Sequence, residues 1–464
     1  MKPSARLRKL HFIGIGGAGM SVLAEVLASW GFSVSGSDGQ ESEALDRLRG
    51  LGMCVAAGHA AGNVQDADAV VYSSAVPVAN PELSEARRRG IPTVKRAEML
   101  GEALRGKYTL GVSGTHGKTT TTTMLGRIWL TAGRHPTLLA GGTARGDENL
   151  SALAGKGEAV IVEADEFDRS FLSMRPAAAI IGNIDSDHLD CYGTLDAVRD
   201  AFVEFANGMP FYGLVAANRD DEGVRSVLPR LTRKVVTYGL AEGADYRAVE
   251  VCADGTGMAF AVESRGKRLG EIGLLVPGIH NVYNALGASA LSLEEGVAFA
   301  DVAKALKGYP GVRRRFEFRG DKSGVRFYDD YAHHPTEVAA TLQAARALVA
   351  ASGKGRLIAV FQPHLFSRTQ QLHGEFARSF RECDVLFVTR VYGARENPIP
   401  GVEGDLIANG AKAGVLPADQ VHYIADLETL PKAVAAVAVA GDLVLTMGAG
   451  DISARCARIM EAVA

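Results

Sequence analysis

At 464 residues, with 47% hydrophobic and 22% charged side chains, the chain has length for about three domains and apolar content to give each a core. A formal net charge of -3 argues against broad electrostatic capture of nucleic acid or an anionic membrane, and five scattered cysteines, at 54, 191, 252, 383 and 456, argue against a disulfide framework or a cysteine zinc site. No signal peptide and no apolar run long enough to span a bilayer is read, so a cytoplasmic, reducing setting is expected, with monomer or homodimer as the assembly.

In chain order, short apolar runs ending in glycine or polar residues alternate with helical patterns, the mark of parallel α/β units. LHFIGIG (10–16) leads into MSVLAEVLASW, and YTLGVSG (108–114) leads into KTTTTTMLGRIWL. Further strands are expected at AVIVEAD (159–165) and AAAIIGNI (177–184), an antiparallel section over about 233–276, and a third unit from GVRRRF (311–316) and GVRFYDDYA onward. The expected fold is three α/β domains: Rossmann-like at 1–106, a P-loop ATPase-like mixed sheet at 107–312, and a second Rossmann-like domain at 313–464.

GIGGAGMS (14–21) stands between a strand and a helix and fits Gly-x-Gly-x-x-Gly through Gly14, Gly16 and Gly19, while Asp38 closes the next strand as a ribose-binding carboxylate would. Three readings stay open on these residues: a nicotinamide dinucleotide, another diphosphate nucleotide, or close helix-to-strand packing without a ligand. GVSGTHGKTTTTT (111–123) also looks like a phosphate loop, yet five positions before Gly117 lies Val112 where the common pattern wants glycine. Its context is nonetheless right. A strand enters, Gly114 and Gly117 permit a tight turn, and a helix begins at Lys118, so unpaired amides at the positive end of a helix dipole would face a phosphate. Lys118 could reach terminal phosphates and Thr119 could bind Mg²⁺. Five successive threonines, mediocre helix formers, point to a site more than to propensity.

Downstream, Glu163 in IVEADEFDRSF ends a strand and suits Mg²⁺, which wants hard oxygen ligands; His188 in NIDSDHLD follows the next strand and reads equally as a hydrogen-bonded loop residue. The acidic neighbours Asp165, Glu166, Asp168, Asp185, Asp187 and Asp190 could form a solvated rim. Asn281 and Asn284 share a helix face and could merely cap or solvate it, and arginines 313–315 could be a surface patch.

SGTHGKTTT, EADEFD, NIDSDHLD, GIHNVYNALGA, GVRRRF and DDYAHHPTE, in this order over nearly the whole chain, resemble the Mur ligase family, ATP-dependent amide-forming enzymes of peptidoglycan precursor synthesis. GSD, YSSAVP and FQPHLFSRT extend the likeness to its alanine-adding branch. The resemblance implies that UDP-N-acetylmuramate and L-alanine are the small-molecule substrates and ATP with Mg²⁺ the cofactors, with no nucleic acid and no membrane. It places the UDP-sugar at Gly14, Gly16, Gly17, Gly19, Met20, Ser21, Asp38, Ser73 and Ser74. ATP would lie at Gly114, Thr115, His116, Gly117, Lys118, Thr119, Thr120, Asn281, Asn284, Arg315 and Asp330. The metal would be held by Thr119, Glu163 and His188, and the amino acid by His333 and Arg368. Lys118, Glu163, His188, Arg315 and Asp330 are the implied catalytic set. Other branches carry a lysine some fourteen or fifteen residues after the histidine; here that region reads AFVEF (201–205), with Glu204 as a substitute to test. A tripeptide-adding recycling ligase and a non-catalytic UDP-sugar sensor are the rival readings.

Overall fold

Strands of a parallel sheet are covered on both faces and therefore need continuous rather than alternating apolar runs. The computed structural model, which describes residues 2–463 apart from 5, 74, 147–149, 151, 188 and 395, shows this in each of three sheets. The first has five parallel strands, β1 (Lys9–Ile13), β2 (Ser33–Asp38), β3 (Cys54–Ala57), β4 (Ala69–Tyr72) and β5 (Thr93–Lys95), in the order β3-β2-β1-β4-β5. The order reverses between β1 and β4, and ligands of open α/β sheets bind at the carboxyl ends of strands beside such a reversal.

The second sheet has ten strands: β6 (Tyr108–Ser113), β7 (Thr137–Leu139), β8 (Ala152–Leu153), β9 (Ala159–Glu163), β10 (Ala178–Ile181), β11 (Leu214–Asn218), β12 (Lys234–Gly239), β13 (Tyr246–Asp254), β14 (Gly257–Ser264) and β15 (Lys267–Leu274). Their order is β15-β14-β13-β12-β11-β10-β6-β9-β7-β8. β6, at the centre, pairs in parallel with β10 and β9, so the residues ending those three strands emerge side by side. The antiparallel character expected over about 233–276 begins later than expected: β12 pairs in parallel with both β11 and β13. Only from β13 onward do adjacent strands follow through two-residue links, a connection open to antiparallel pairs alone.

The third sheet, β16 (Glu317–Lys322), β17 (Val325–Asp330), β18 (Leu357–Phe361), β19 (Val385–Thr389), β20 (Val421–Ile424) and β21 (Leu443–Met447), runs β16-β17-β21-β18-β19-β20 and is parallel except for the β16–β17 hairpin. The fold is thus three-domain α/β.

Met1–Cys252, Ala259–Leu274 and Asn281–Pro310 make one compact unit, which contains the first sheet and all of the second but the tip of the β13–β14 hairpin; Ala253–Met258, Leu275–His280 and Gly311–Ala464 make a second. Within the first unit, helix Arg96–Leu104 of the first domain packs closely on the second: a Cβ at Gly101 would lie 2.8 Å from the Ser173 carbonyl oxygen. Met99 and Leu100 share one apolar cluster with Phe171 and Met174. No helix among the described residues is long and apolar enough to cross a membrane.

Candidate active site

β1 leads through a glycine turn into helix Ala18–Ser29. Gly14 takes φ +78°, a left-handed conformation open to glycine at little cost, and the Gly14 and Ile15 amides donate to the Ser37 carbonyl at 2.8 and 3.0 Å. Asp38, at the end of β2, accepts from the Gly16 amide at 2.9 Å and from Gly39 at 2.8 Å. A Cβ at Gly16 would press on Leu45 and Asp38, and one at Gly19 would lie 2.9 Å from the Arg96 guanidinium. Arg96, which the motif reading missed, therefore puts a positive charge beside the helix N-terminus. The Met20 and Ser21 side chains are buried and their amides already donate to the Gly17 carbonyl, so they act within the turn. Ser73 lies against Gly14; Ser74 is outside the described residues.

The second glycine turn joins β6 to helix Lys118–Thr131. Gly114 (φ +137°) and Gly117 (φ +78°) supply the backbone angles, and the turn is braced from β10. The Thr115 amide donates to the Asn183 carbonyl at 3.1 Å, the His116 amide to Asn183 Oδ1 at 2.7 Å, and Asn183 Nδ2 returns a bond to the His116 carbonyl at 3.1 Å. The Asp185 amide donates to the Thr115 hydroxyl at 2.9 Å, and His116 Nε2 lies 3.2 Å from the Asp185 carboxylate. Asn183 and Asp185 thus hold the loop, although the sequence reading did not single out Asn183 and grouped Asp185 with a solvated rim. Asn281 and Asn284 belong here too rather than to a solvated face. Asn281 is 6% exposed, and a Cβ at Gly117 would sit 2.6 Å from Asn284 Oδ1, which accepts the Thr121 hydroxyl at 3.1 Å.

The threonine run has two explanations. Thr122 and Thr123 are fully buried, and Thr123 Oγ1 contacts the Tyr309 hydroxyl at 2.7 Å, so packing accounts for those two; Thr119 faces the site. Its hydroxyl bonds to Glu163, whose carboxylate also accepts the Gly141 amide at 2.6 Å. Burial pushes the Glu163 carboxyl above its ordinary range despite these donors. A half-buried carboxylate beside a threonine hydroxyl is an oxygen donor set suited to a hard divalent cation. His188 lies outside the described residues. Glu204 is exposed on its helix and bonded to Arg169 at 2.9 Å.

Lys118 does not wait in open solvent. Its ammonium donates to the Gly114 and Thr115 carbonyls at 2.9 and 3.1 Å and to both oxygens of Glu166 at 3.0 and 2.8 Å. Burial draws its pKa down, but Glu166 and Asp165 outweigh burial and hold it above the ordinary lysine value. Glu166, grouped with a solvated rim in the sequence reading, is 1% exposed.

In the second unit the sites again follow strand ends. Asp330 closes β17 and accepts the Phe316 and Ala332 amides, each at 2.7 Å; burial, opposed by Arg315 and these amides, pushes it up to about 6. The Arg315 guanidinium lies over the Tyr331 ring and 3.5 Å from Glu337, so it is not a loose surface patch. Glu337 also accepts the His333 amide at 3.0 Å. His280 packs beside this group, and burial with Arg315 pushes it down to about 4, which keeps it neutral. After β18, His364 links the two residues assigned to the amino acid: its ring meets that of His333 edge-on at 5.8 Å, and its Nδ1 lies 3.3 Å from the buried Arg368 guanidinium.

Comparison with known proteins gives a consistent result over all three sheets. The model of the Mur ligase family catalytic domain matches residues 9–108, that of the Mur ligase middle domain 112–292, and that of the Mur ligase glutamate ligase domain 314–450. The UDP-N-acetylmuramate–L-alanine ligase of Trichlorobacter lovleyi is 45% identical over 449 residues, covering 96% of this chain and 97% of the relative. Among solved structures, the UDP-N-acetylmuramate-alanine ligase of Thermotoga maritima is similar with a TM-score of 0.82 at 32% identity, covering 98% of both chains. A murein peptide ligase from Psychrobacter arcticus gives 0.73 at 26% identity with the same coverage.

Proposed function

The chain belongs to the Mur ligase family, and on that premise we propose that it joins L-alanine to the carboxylate of UDP-N-acetylmuramate, converting ATP to ADP and phosphate, in peptidoglycan precursor synthesis. The observation that carries this reading is that one compact unit holds two glycine turns, each opening on a helix N-terminus at the carboxyl end of a strand paired in parallel on both sides. Two such turns suit two phosphorylated ligands.

The turn at Gly14, Gly16, Gly17 and Gly19, with Ser73, Asp38 and Arg96, takes the UDP diphosphate and ribose. Met20 and Ser21 support that turn from within its helix. The turn from Gly114 to Thr120, with Asn281 and Asn284 against it, takes the ATP phosphates. Thr119 and Glu163 would hold Mg²⁺, which when bound neutralises phosphate charge. His188 is kept as the remaining metal ligand on the family resemblance alone. Arg315 and Asp330 are assigned to ATP, and His333 and Arg368 to the amino acid, on the same basis.

A carboxylate resists amines because it is electron-rich and lacks a leaving group. The muramyl carboxylate oxygen therefore attacks the γ-phosphorus, the bond to the β–γ bridging oxygen breaks, and ADP leaves. Lys118 and the loop amides disperse charge that builds on the phosphoryl oxygens, the main protein contribution in phosphoryl transfer. The neutral alanine amine then attacks the acyl phosphate carbonyl; the tetrahedral intermediate expels phosphate and the nitrogen loses a proton, leaving the amide. The test is ADP release with UDP-N-acetylmuramate and either L-alanine or L-alanyl-γ-D-glutamyl-diaminopimelate. Release dependent on L-alanine is expected. Release with the tripeptide alone would assign a recycling ligase, and none with either would leave a UDP-sugar sensor.

A further inference from the structure

An ammonium has three hydrogens to donate. Lys118 has four acceptors within 3.1 Å: two loop carbonyls and both oxygens of Glu166, with an Asp165 oxygen at 3.6 Å. Its donors are therefore committed before any phosphate arrives. Glu166 is fixed as firmly. It sits on the turn after β9, where Asp168 and Arg169 take φ +53° and +56°, its carbonyl accepts the Tyr192 hydroxyl at 2.6 Å, and its side chain is closed off from solvent. Removing one partner from a buried ion pair leaves an uncompensated charge and is strongly unfavourable.

We propose that Glu166 is a positioning residue that holds Lys118 back against the loop, so that nucleotide binding is a displacement in which phosphate competes with a buried carboxylate for one ammonium. This rests on the ATP-site reading above. The consequence for catalysis follows from differential binding. A lysine already satisfied in the resting loop contributes little to ground-state affinity, so its charge acts chiefly when the transferring phosphoryl group gains charge, and ADP is not held too tightly to leave.

The experiment measures ADP affinity by calorimetry, with and without Mg²⁺, for the wild-type chain, Glu166→Gln and Glu166→Asp. Glu166→Gln should bind ADP at least tenfold more tightly in both conditions. ADP should also raise its Tm more than that of wild type, because phosphate then supplies the charge Lys118 has lost. Glu166→Asp, whose shorter arm cannot keep both contacts, should tighten binding two- to fivefold, and it carries the test alone should Glu166→Gln not fold. Equal or weaker binding by the variants overturns the proposal, and weakening seen only with Mg²⁺ would make Glu166 a metal ligand instead. If the wild-type chain bound no ADP at all, the functional reading itself would fall, a result distinct from either of these.

Discussion

Gly117→Ala tests the phosphate loop at its narrowest point. Gly117 holds φ +78°, which costs an alanine roughly 1–2 kcal/mol. The new Cβ would stand 2.6 Å from Asn284 Oδ1, inside any normal contact, so Asn284 must turn away and surrender its bond from Thr121, worth about 1 kcal/mol. Together about 2–3 kcal/mol oppose the loop's binding conformation, and at about 1.4 kcal/mol per tenfold the ADP affinity should fall roughly thirty- to a hundred-and-fifty-fold. Calorimetric titration with ADP reads this loss, and titration with UDP-N-acetylmuramate is the control, since the first glycine turn is untouched. If the variant bound ADP within threefold of wild type, the loop would not need this conformation. If both ligands were lost together, the effect would be global unfolding.

Gly16→Ala should do the opposite. Its Cβ would lie 2.7 Å from Leu45 and 3.0 Å from the Asp38 carboxylate, so UDP-sugar affinity should fall by about tenfold or more while ADP binding holds; the reverse pattern would exchange the two ligand assignments. Two buried carboxylates should give stability opposite pH dependences, read from urea unfolding between pH 3 and 8. Burial pushes Glu82 up, but hydrogen bonds from His11, Ser37 and Asn63 outweigh it and bring the pKa from 4.5 to about 2. Its contribution, at most about 3 kcal/mol, is present above pH 4.5 and lost as pH falls toward 2, and Glu82→Gln should flatten that acid limb. Asp330 rises from 3.8 to about 6, so the folded chain keeps a proton the unfolded chain releases, and up to about 3 kcal/mol is lost as pH climbs through that window. Asp330→Asn should remove this slope, at the added cost of facing an amide donor toward one backbone N–H; an unchanged slope would refute the assignment.

Both glycine turns were legible because each requirement is local: an apolar strand, glycine where φ must be positive, a helix start. What stayed hidden depends on which strands are neighbours. Asn183 and Asp185 brace the second glycine turn only because β10 lies beside β6, some 70 residues away in sequence, and a polar residue after a strand carries no sign of its partner. Glu166 looked like one of many acids. Its burial follows from the left-handed turn at Asp168 and Arg169, which sequence does not announce because neither residue is glycine. The threonine run shows the reverse error: read as the sign of a site, it includes Thr122 and Thr123, which are fully buried, Thr123 against the Tyr309 hydroxyl. The β12–β13 pairing was misjudged for a related reason, since residues 240–245 look like a hairpin loop yet carry a parallel connection.

The two turns also differ in charge, and the difference bears on why one ligand would need a metal. Beside the first turn stands Arg96, while Asp38 has both oxygens occupied by amides, so a diphosphate meets a guanidinium and a helix N-terminus. Around the second, the one ammonium of Lys118 faces three carboxylates, those of Glu166, Asp165 and Glu163. A bare triphosphate brought there adds like charge in a partly desolvated place, where each pair of charges about 8 Å apart costs on the order of 2 kcal/mol at an effective dielectric near 20. A divalent cation held by Thr119 and Glu163 would offset that charge. Chelation should therefore weaken ATP binding by at least a hundredfold and leave UDP-sugar binding within about twofold. Equal weakening of both ligands would mean that the carboxylates around Lys118 do not govern which turn depends on metal.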